Sequence, residues 1–395
     1  MQPETPNIAQ RSFVLFALGF RPFFLVAAIF SVVLMAQWVL MFVGNRGFPN
    51  YYGAIGWHSH EMIFGYTVAV IAGFLLTAVR NWTDIPTLAG VPLAGLTALW
   101  FVARLMPFLP VTFSPWLIAA VDIAFLPVLA IALCIPLLRS SQRRNLIFLP
   151  LLGGLTLANF LFHIELTGYT ANVARAGTFL GLNLIVLLIV IMGGRVIPFF
   201  TERALSGVIP KRWPAIEWLS TASALSFSIA ELFLPNSMIV GGLAALAGIS
   251  NGIRLIGWYS NRFWSVPLLW VLHMGYGWVV VGFCLRALAG IGLIPPQFTV
   301  HAFTVGGIGV LTLGMMARVS LGHTGRPLKV STPVVLAFVL INLAAVIRGI
   351  LPIAFPQLLA QLVALSGSLW AAAFTIFLVI YAPILTQPRV DGRPG

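Results

Sequence analysis

Trp57-His58-Ser59-His60-Glu61-Met62 opens an apolar run that continues to Val79. A run of about 20 such residues, rising roughly 1.5 Å each, spans the hydrocarbon core of a bilayer as a helix. Two of the six histidines stand at its head, with a carboxylate and a thioether beside them. Ionisable groups are costly at that depth and are functional candidates for that reason. Imidazole, carboxylate and thioether are also metal ligands. The plainer alternative is hydrogen bonding to headgroups and loop carbonyls.

The rest of the chain repeats the pattern. Its 395 residues are 60% hydrophobic and 8% charged, with a mean hydropathy of +1.01. A soluble fold of this size cannot bury so much apolar surface, which makes the chain an all-α polytopic membrane protein. Twelve spans are expected, at 22–43, 58–79, 87–106, 115–138, 146–166, 176–195, 215–233, 237–256, 264–288, 298–319, 331–350 and 357–385. They form a single transmembrane domain over 1–395, with no polar segment long enough for a second one. The first run carries Arg21-Pro22 and no small-residue cleavage site, so it reads as a retained span rather than a leader. Cys134 and Cys284 lie in different runs, which argues against a disulfide framework.

The net charge of +13 suggests nucleic acid until its placement is considered. With the N-terminus inside, cytoplasmic segments hold 17 of the 22 Lys and Arg residues, and outer segments hold Arg46, Arg104, Arg175, Arg286 and Arg348. That is the positive-inside bias of a membrane protein with both termini in the cytoplasm, not a nucleic-acid surface. A faint echo recurs every fourth span: spans 2, 6 and 10 end at Ala78-Val79-Arg80, Gly194-Arg195-Val196 and Ala317-Arg318-Val319. Three four-helix units would account for it.

Depth follows from the distance to the cytoplasmic Arg of each span. His60 lies about 30 Å from Arg80, His163 about 28 Å from Arg144 and His301 about 25 Å from Arg318. His58, His60, His163 and His301 therefore share an outer layer. His273, about 16 Å past Arg262, is expected near the midplane, and His323 is cytoplasmic. Glu61, Asp122, Glu165 and Glu231 fall in the outer halves of their spans. Asp122 and Glu231 read as helix-tying partners of outer Arg residues, whereas Glu61 and Glu165, each near a His, are candidates for the site itself.

Rotation separates the two neighbouring histidines. Residues two apart on a regular helix point about 200° from each other, so His58 and His60 serve different partners. His58, Glu61 and Met62 would share a face above a small-residue stripe, Gly65, Ala69 and Gly73, that admits a close helix. A planar cofactor such as haem b needs an axial His from each side, and His60 with His301 matches that need in depth, with outer Arg residues for its propionates. Copper would then use His58 with Glu61, Met62 or His163, since soft thioether and imidazole suit Cu(I). On the cytoplasmic side, the basic stretches 318–328 and 193–201 have the character of anion or headgroup sites. There is no Walker, dinucleotide, triad or EF-hand pattern.

Gly19-Phe20-Arg21-Pro22-Phe23-Phe24, His58-Ser59-His60-Glu61-Met62, Gly73-Phe74-Leu75-Leu76-Thr77, Gly194-Arg195-Val196-Ile197-Pro198-Phe199-Phe200-Thr201 and Gly322-His323-Thr324-Gly325-Arg326-Pro327-Leu328 together resemble the NnrS family. The resemblance covers nearly the whole chain. It implies a bacterial inner-membrane protein of twelve spans, containing haem and copper and linked to nitric-oxide tolerance and denitrification. It makes His58, His60, His163, His273, His301 and His323 the candidate ligands. A looser likeness to the main subunit of haem–copper oxidases ends at spans 6 and 7, which contain no histidine for that copper site. Two classes of function remain: a metal protein that binds, senses or, as an oxidoreductase, turns over nitric oxide, with His273 as the catalytic residue on the gas-binding side, and a twelve-span proton-coupled or copper-ion transporter.

Overall fold

A computed structural model describes residues 14–44, 51–109 and 113–393. The described residues form twelve long helices and no strand: α1 Phe20–Gly44, α2 Ala54–Thr83, α3 Val91–Phe108, α4 Pro115–Arg139, α5 Arg143–Leu166, α6 Ala174–Ala204, α7 Pro214–Phe233, α8 Met238–Trp258, α9 Pro267–Gly290, α10 Pro296–His323, α11 Thr332–Ala354 and α12 Pro356–Thr386. Eleven are long and apolar enough to cross a membrane. The exception is α7, where Glu217, Glu231 and five Ser or Thr residues dilute the apolar run. Its polar groups face protein: Ser223 meets Ser250 of α8 at 3.3 Å, and Glu231 meets Arg286 of α9.

Successive helices pack side by side, and α12 returns to lie along α1, closing the bundle. Burial is unequal. The apolar windows of α2, α10 and α6 are 94, 72 and 67% buried, more than those of any other span. These are the three helices that carry the every-fourth-span echo, so the echo marks the inner helices. The small-residue stripe on α2 does admit a neighbour: a Cβ on Gly73 would stand 2.9 Å from Phe23 of α1, and one on Gly65 2.8 Å from Phe30.

Both histidine-bearing inner helices are irregular at the same place. Directly after His60, residues Glu61–Thr67 form a widened turn in which the Val68 amide reaches back to Ile63 and the Thr67 hydroxyl to Met62. Directly after His301, residues Ala302–Gly309 do the same. Such π-turns insert a residue and rotate everything beyond them, and they cluster at functional sites.

Candidate metal centre

His60 is fully buried in the second turn of α2. Its Nδ1 meets the Glu61 carboxylate at 3.1 Å, and its Nε2 lies 3.0 Å from Asn159 Oδ1 and 3.2 Å from Asp122 Oδ2. His163, at the end of α5, brings its own Nε2 to within 3.1 Å of the same Asp122 oxygen, while its Nδ1 lies 3.3 Å from the Tyr51 hydroxyl. Tyr52 stacks on the His60 ring at 4.6 Å and donates to Asp122 Oδ2 at 3.0 Å. Burial, with Asp122 nearby, raises the ionisation of both tyrosine hydroxyls above the ordinary phenolic range, which keeps them protonated.

Ligand atoms of His60, Asp122 and His163 thus lie within 4.8 Å of one another in a buried setting. Both Nε2 atoms converge on one carboxylate oxygen, and both Nδ1 atoms are held from behind, one by a carboxylate and one by a phenol. That is how ligating histidines are oriented by their outer partners. Arg104 joins the cluster by pairing with Asp122 and, at 3.2 Å, with Glu61. With neutral imidazoles, one guanidinium and two carboxylates leave the buried group at minus one, a deficit that a cation offsets. The set of two imidazoles and a carboxylate belongs to transition metals.

On the other face of α2 the surroundings change. His58 stacks on Trp38 of α1 at 4.0 Å and 11°, which fixes its ring plane. It opens onto a cavity of about 420 Å³ lined also by His301, Arg348, Met62, Gln297 and Met35, within the usual range for small-molecule pockets. Nδ1 of His58, Nδ1 of His301 and one Nη of Arg348 are buried there with no hydrogen bond among the described residues. Buried polar atoms of this kind are rarely left unpaired without a reason.

Compared with the residues read from the sequence, the structure keeps the layer and exchanges the partners. His58 and His60 do face different sites. His301 adjoins His58 rather than His60, and His163 meets His60 rather than His58. Glu61 does not stay with His58 either: its carboxylate turns to His60 and Arg104, while Met62 remains on the His58 cavity. Asp122, read as a helix tie, does pair with Arg104 and also reaches both histidines. Its depth was legible in the sequence; its angular position was not. Glu231 pairs with Arg286 as expected, at 2.6 Å. Glu165 instead accepts from the Val173 and Ala174 amides at 2.7 Å each, closing the N-terminus of α6.

Of the described outer arginines, Arg348 alone lines the His58–His301 cavity. Arg104 and Arg286 are committed to carboxylates, and Arg175 lies over the Phe179 ring. Arg46 is outside the described residues. His273 lies nearer the Arg262 end of its span than expected. Asn261–Ser265 forms its own short turn, so α9 starts at Pro267 and His273 is only about 9 Å along it. It stacks on Phe263, bonds the Leu269 carbonyl at 3.0 Å, and lines a separate cavity of about 320 Å³ with Tyr259 and Trp278. His323 ends α10, where its carbonyl accepts from Arg389 at 2.9 Å.

The family model described as NnrS protein matches residues 14–389. No curated protein matches the chain.

Proposed function

From the premise that this chain belongs to the NnrS family, we propose that it is a haem- and copper-containing protein of the bacterial inner membrane that binds or turns over nitric oxide in the nitric-oxide response. The observation that carries this reading is the separation of the outer histidines into two pairs on opposite faces of α2. His58 and His301 are offered to one cavity from different helices; His60 and His163 converge on Asp122.

The cavity suits haem b. It presents two imidazoles from separate helices, an arginine with an unpaired Nη for a propionate, and aromatic and thioether walls. The buried cluster suits copper, with His60, His163 and Asp122 as ligands and Glu61 and Tyr51 orienting the imidazoles from their Nδ1 sides. Bound there, the two groups would supply reversible electron transfer and coordination of a diatomic gas. The protein's own part is to hold the imidazoles in fixed tautomers, keep water from a nearly sealed cluster and shield its charge with Arg104. Tyr51 and Tyr52, just outside α2, are the groups nearest the outer surface that hydrogen-bond to the cluster.

Twelve crossings with both termini in the cytoplasm complete the proposal. A transporter would be colourless and would move copper across vesicles; a haem protein has a Soret band. The decisive experiment compares absorption spectra and metal content of detergent-purified variants. His58→Ala and His301→Ala should lose haem and retain copper, whereas His60→Ala and His163→Ala should lose copper and retain haem. Loss of haem in His60→Ala with full retention in His58→Ala overturns the pairing, and a wild-type protein with neither metal overturns the function.

A further inference from the structure

At the end of the bundle away from the histidine layer, α2, α5, α6, α7 and α8 surround a cavity of about 860 Å³. Four arginines line it: Arg144, Arg195, Arg212 and Arg254. Two carboxylates, Glu202 and Glu217, line it as well. The cavity wall therefore has two positive charges in excess.

How those charges are partnered matters more than their number. Arg254 is buried and spoken for: it pairs with Glu217 at 2.7 Å and donates to the Tyr276 hydroxyl at 2.8 Å and the Val190 carbonyl at 3.1 Å. Its guanidinium lies directly over Gly194, where any Cβ would collide with it. The hydrogen bonds of the other three go to neutral oxygens. Arg195 donates to Asn145 Oδ1 at 3.1 Å and to the Arg144 carbonyl at 3.3 Å. Arg144 donates to Gln142 at 3.4 Å, and Arg212 to the Gly194 carbonyl at 3.4 Å. Arg144 and Arg195 are close enough to repel each other, yet the fold holds them together by neutral acceptors. Guanidinium groups assembled in this way around an open space are suited to bidentate capture of phosphate oxygens.

We propose that this cavity binds a phosphate-bearing anion of about two negative charges, through Arg144, Arg195 and Arg212. The same chemistry is offered by an anionic lipid headgroup and by a soluble phosphate. Exposed Ile147, Phe199 and Trp218 border the basic wall, as expected where acyl chains leave a headgroup pocket. The site is independent of the histidines, so it stands or falls separately from the metal reading.

The test uses the full chain in detergent, with native mass spectrometry and competition. Cardiolipin, phosphatidylglycerol and phosphatidylcholine are the lipid probes; inorganic phosphate is the soluble one. Cardiolipin should be retained at least tenfold more strongly than phosphatidylcholine. Arg144→Gln with Arg195→Gln should abolish that preference. Arg212→Gln, an exposed change that leaves the helix packing alone, should weaken it several-fold with no change in melting temperature. Displacement by millimolar inorganic phosphate would assign the site to soluble phosphate; retention against it would assign it to lipid. Equal binding of phosphatidylcholine with no uptake of inorganic phosphate, or an unchanged preference in the arginine variants, overturns the proposal.

Discussion

Replacing Arg104 by Met removes the guanidinium that is bonded to the buried cluster among the described residues and keeps most of its volume. Arg104, Glu61 and Asp122 are 5, 1 and 3% exposed, so solvent cannot take over the lost partner. The wild-type group carries one positive and two negative charges; the variant carries two negative charges with His60 and His163 between them. Breaking a buried pair from one side typically costs about 3–5 kcal/mol, against roughly 0.2–1 kcal/mol for an exposed pair. Both carboxylates lose their cation here, so the larger range applies. The assay is unfolding in mixed micelles, followed by fluorescence of the twelve tryptophans, one of which, Trp100, donates to the Gly65 carbonyl beside Arg104 at 3.0 Å. Arg104→Met should fall by about 3 kcal/mol or more. Adding Glu61→Gln and Asp122→Asn, which leaves a neutral cluster of the same shape, should recover much of that loss. A loss below about 1 kcal/mol, or no recovery in the neutral variant, would mean that the charges are not buried together as described.

Three other outcomes are expected. Gly65→Ala places a Cβ 2.8 Å from Phe30 and 3.0 Å from an Arg104 nitrogen; overpacking of this kind costs about 1–3 kcal/mol, and thermal melting should show it. Asp391 is held down to about 2 by its hydrogen bond from Arg389 and by the nearby positive charges, from an ordinary value of 3.8. Its contribution to the clasp, in which the Val390 amide bonds the Thr324 carbonyl at 3.1 Å, is therefore present above pH 3.8 and lost as pH falls through about 2. Protection of the Val390 amide, taken against its intrinsic exchange rate at each pH, should fall over that window and not on the alkaline side. Cysteines placed at Lys329 and Arg46 should react with impermeant reagents from opposite faces of the membrane; labelling from one face would refute the charge-derived orientation.

Much of this protein is written along one dimension. Run length and hydropathy determine the helices, because a bilayer demands about 20 apolar residues and internal satisfaction of every backbone group. Depth is equally legible: rise per residue places His58, His60, His163 and His301 in one layer, and it places Asp122 and Glu231 level with the arginines that they pair with. Angle is not. Residue counting assumes a constant rotation per residue, and the π-turns over Glu61–Thr67 and Ala302–Gly309 break that assumption just beyond His60 and His301. It also gives no neighbour: the Glu61 carboxylate goes to His60 and Arg104, leaving His58 and Met62 to the cavity they share with His301. Gly65 marks the place, since only a residue without a side chain leaves room for Glu61, Arg104 and Phe30 together, but that crowding comes from α1 and α3. Which histidine meets which is therefore decided between helices, by packing that the local sequence of α2 does not contain.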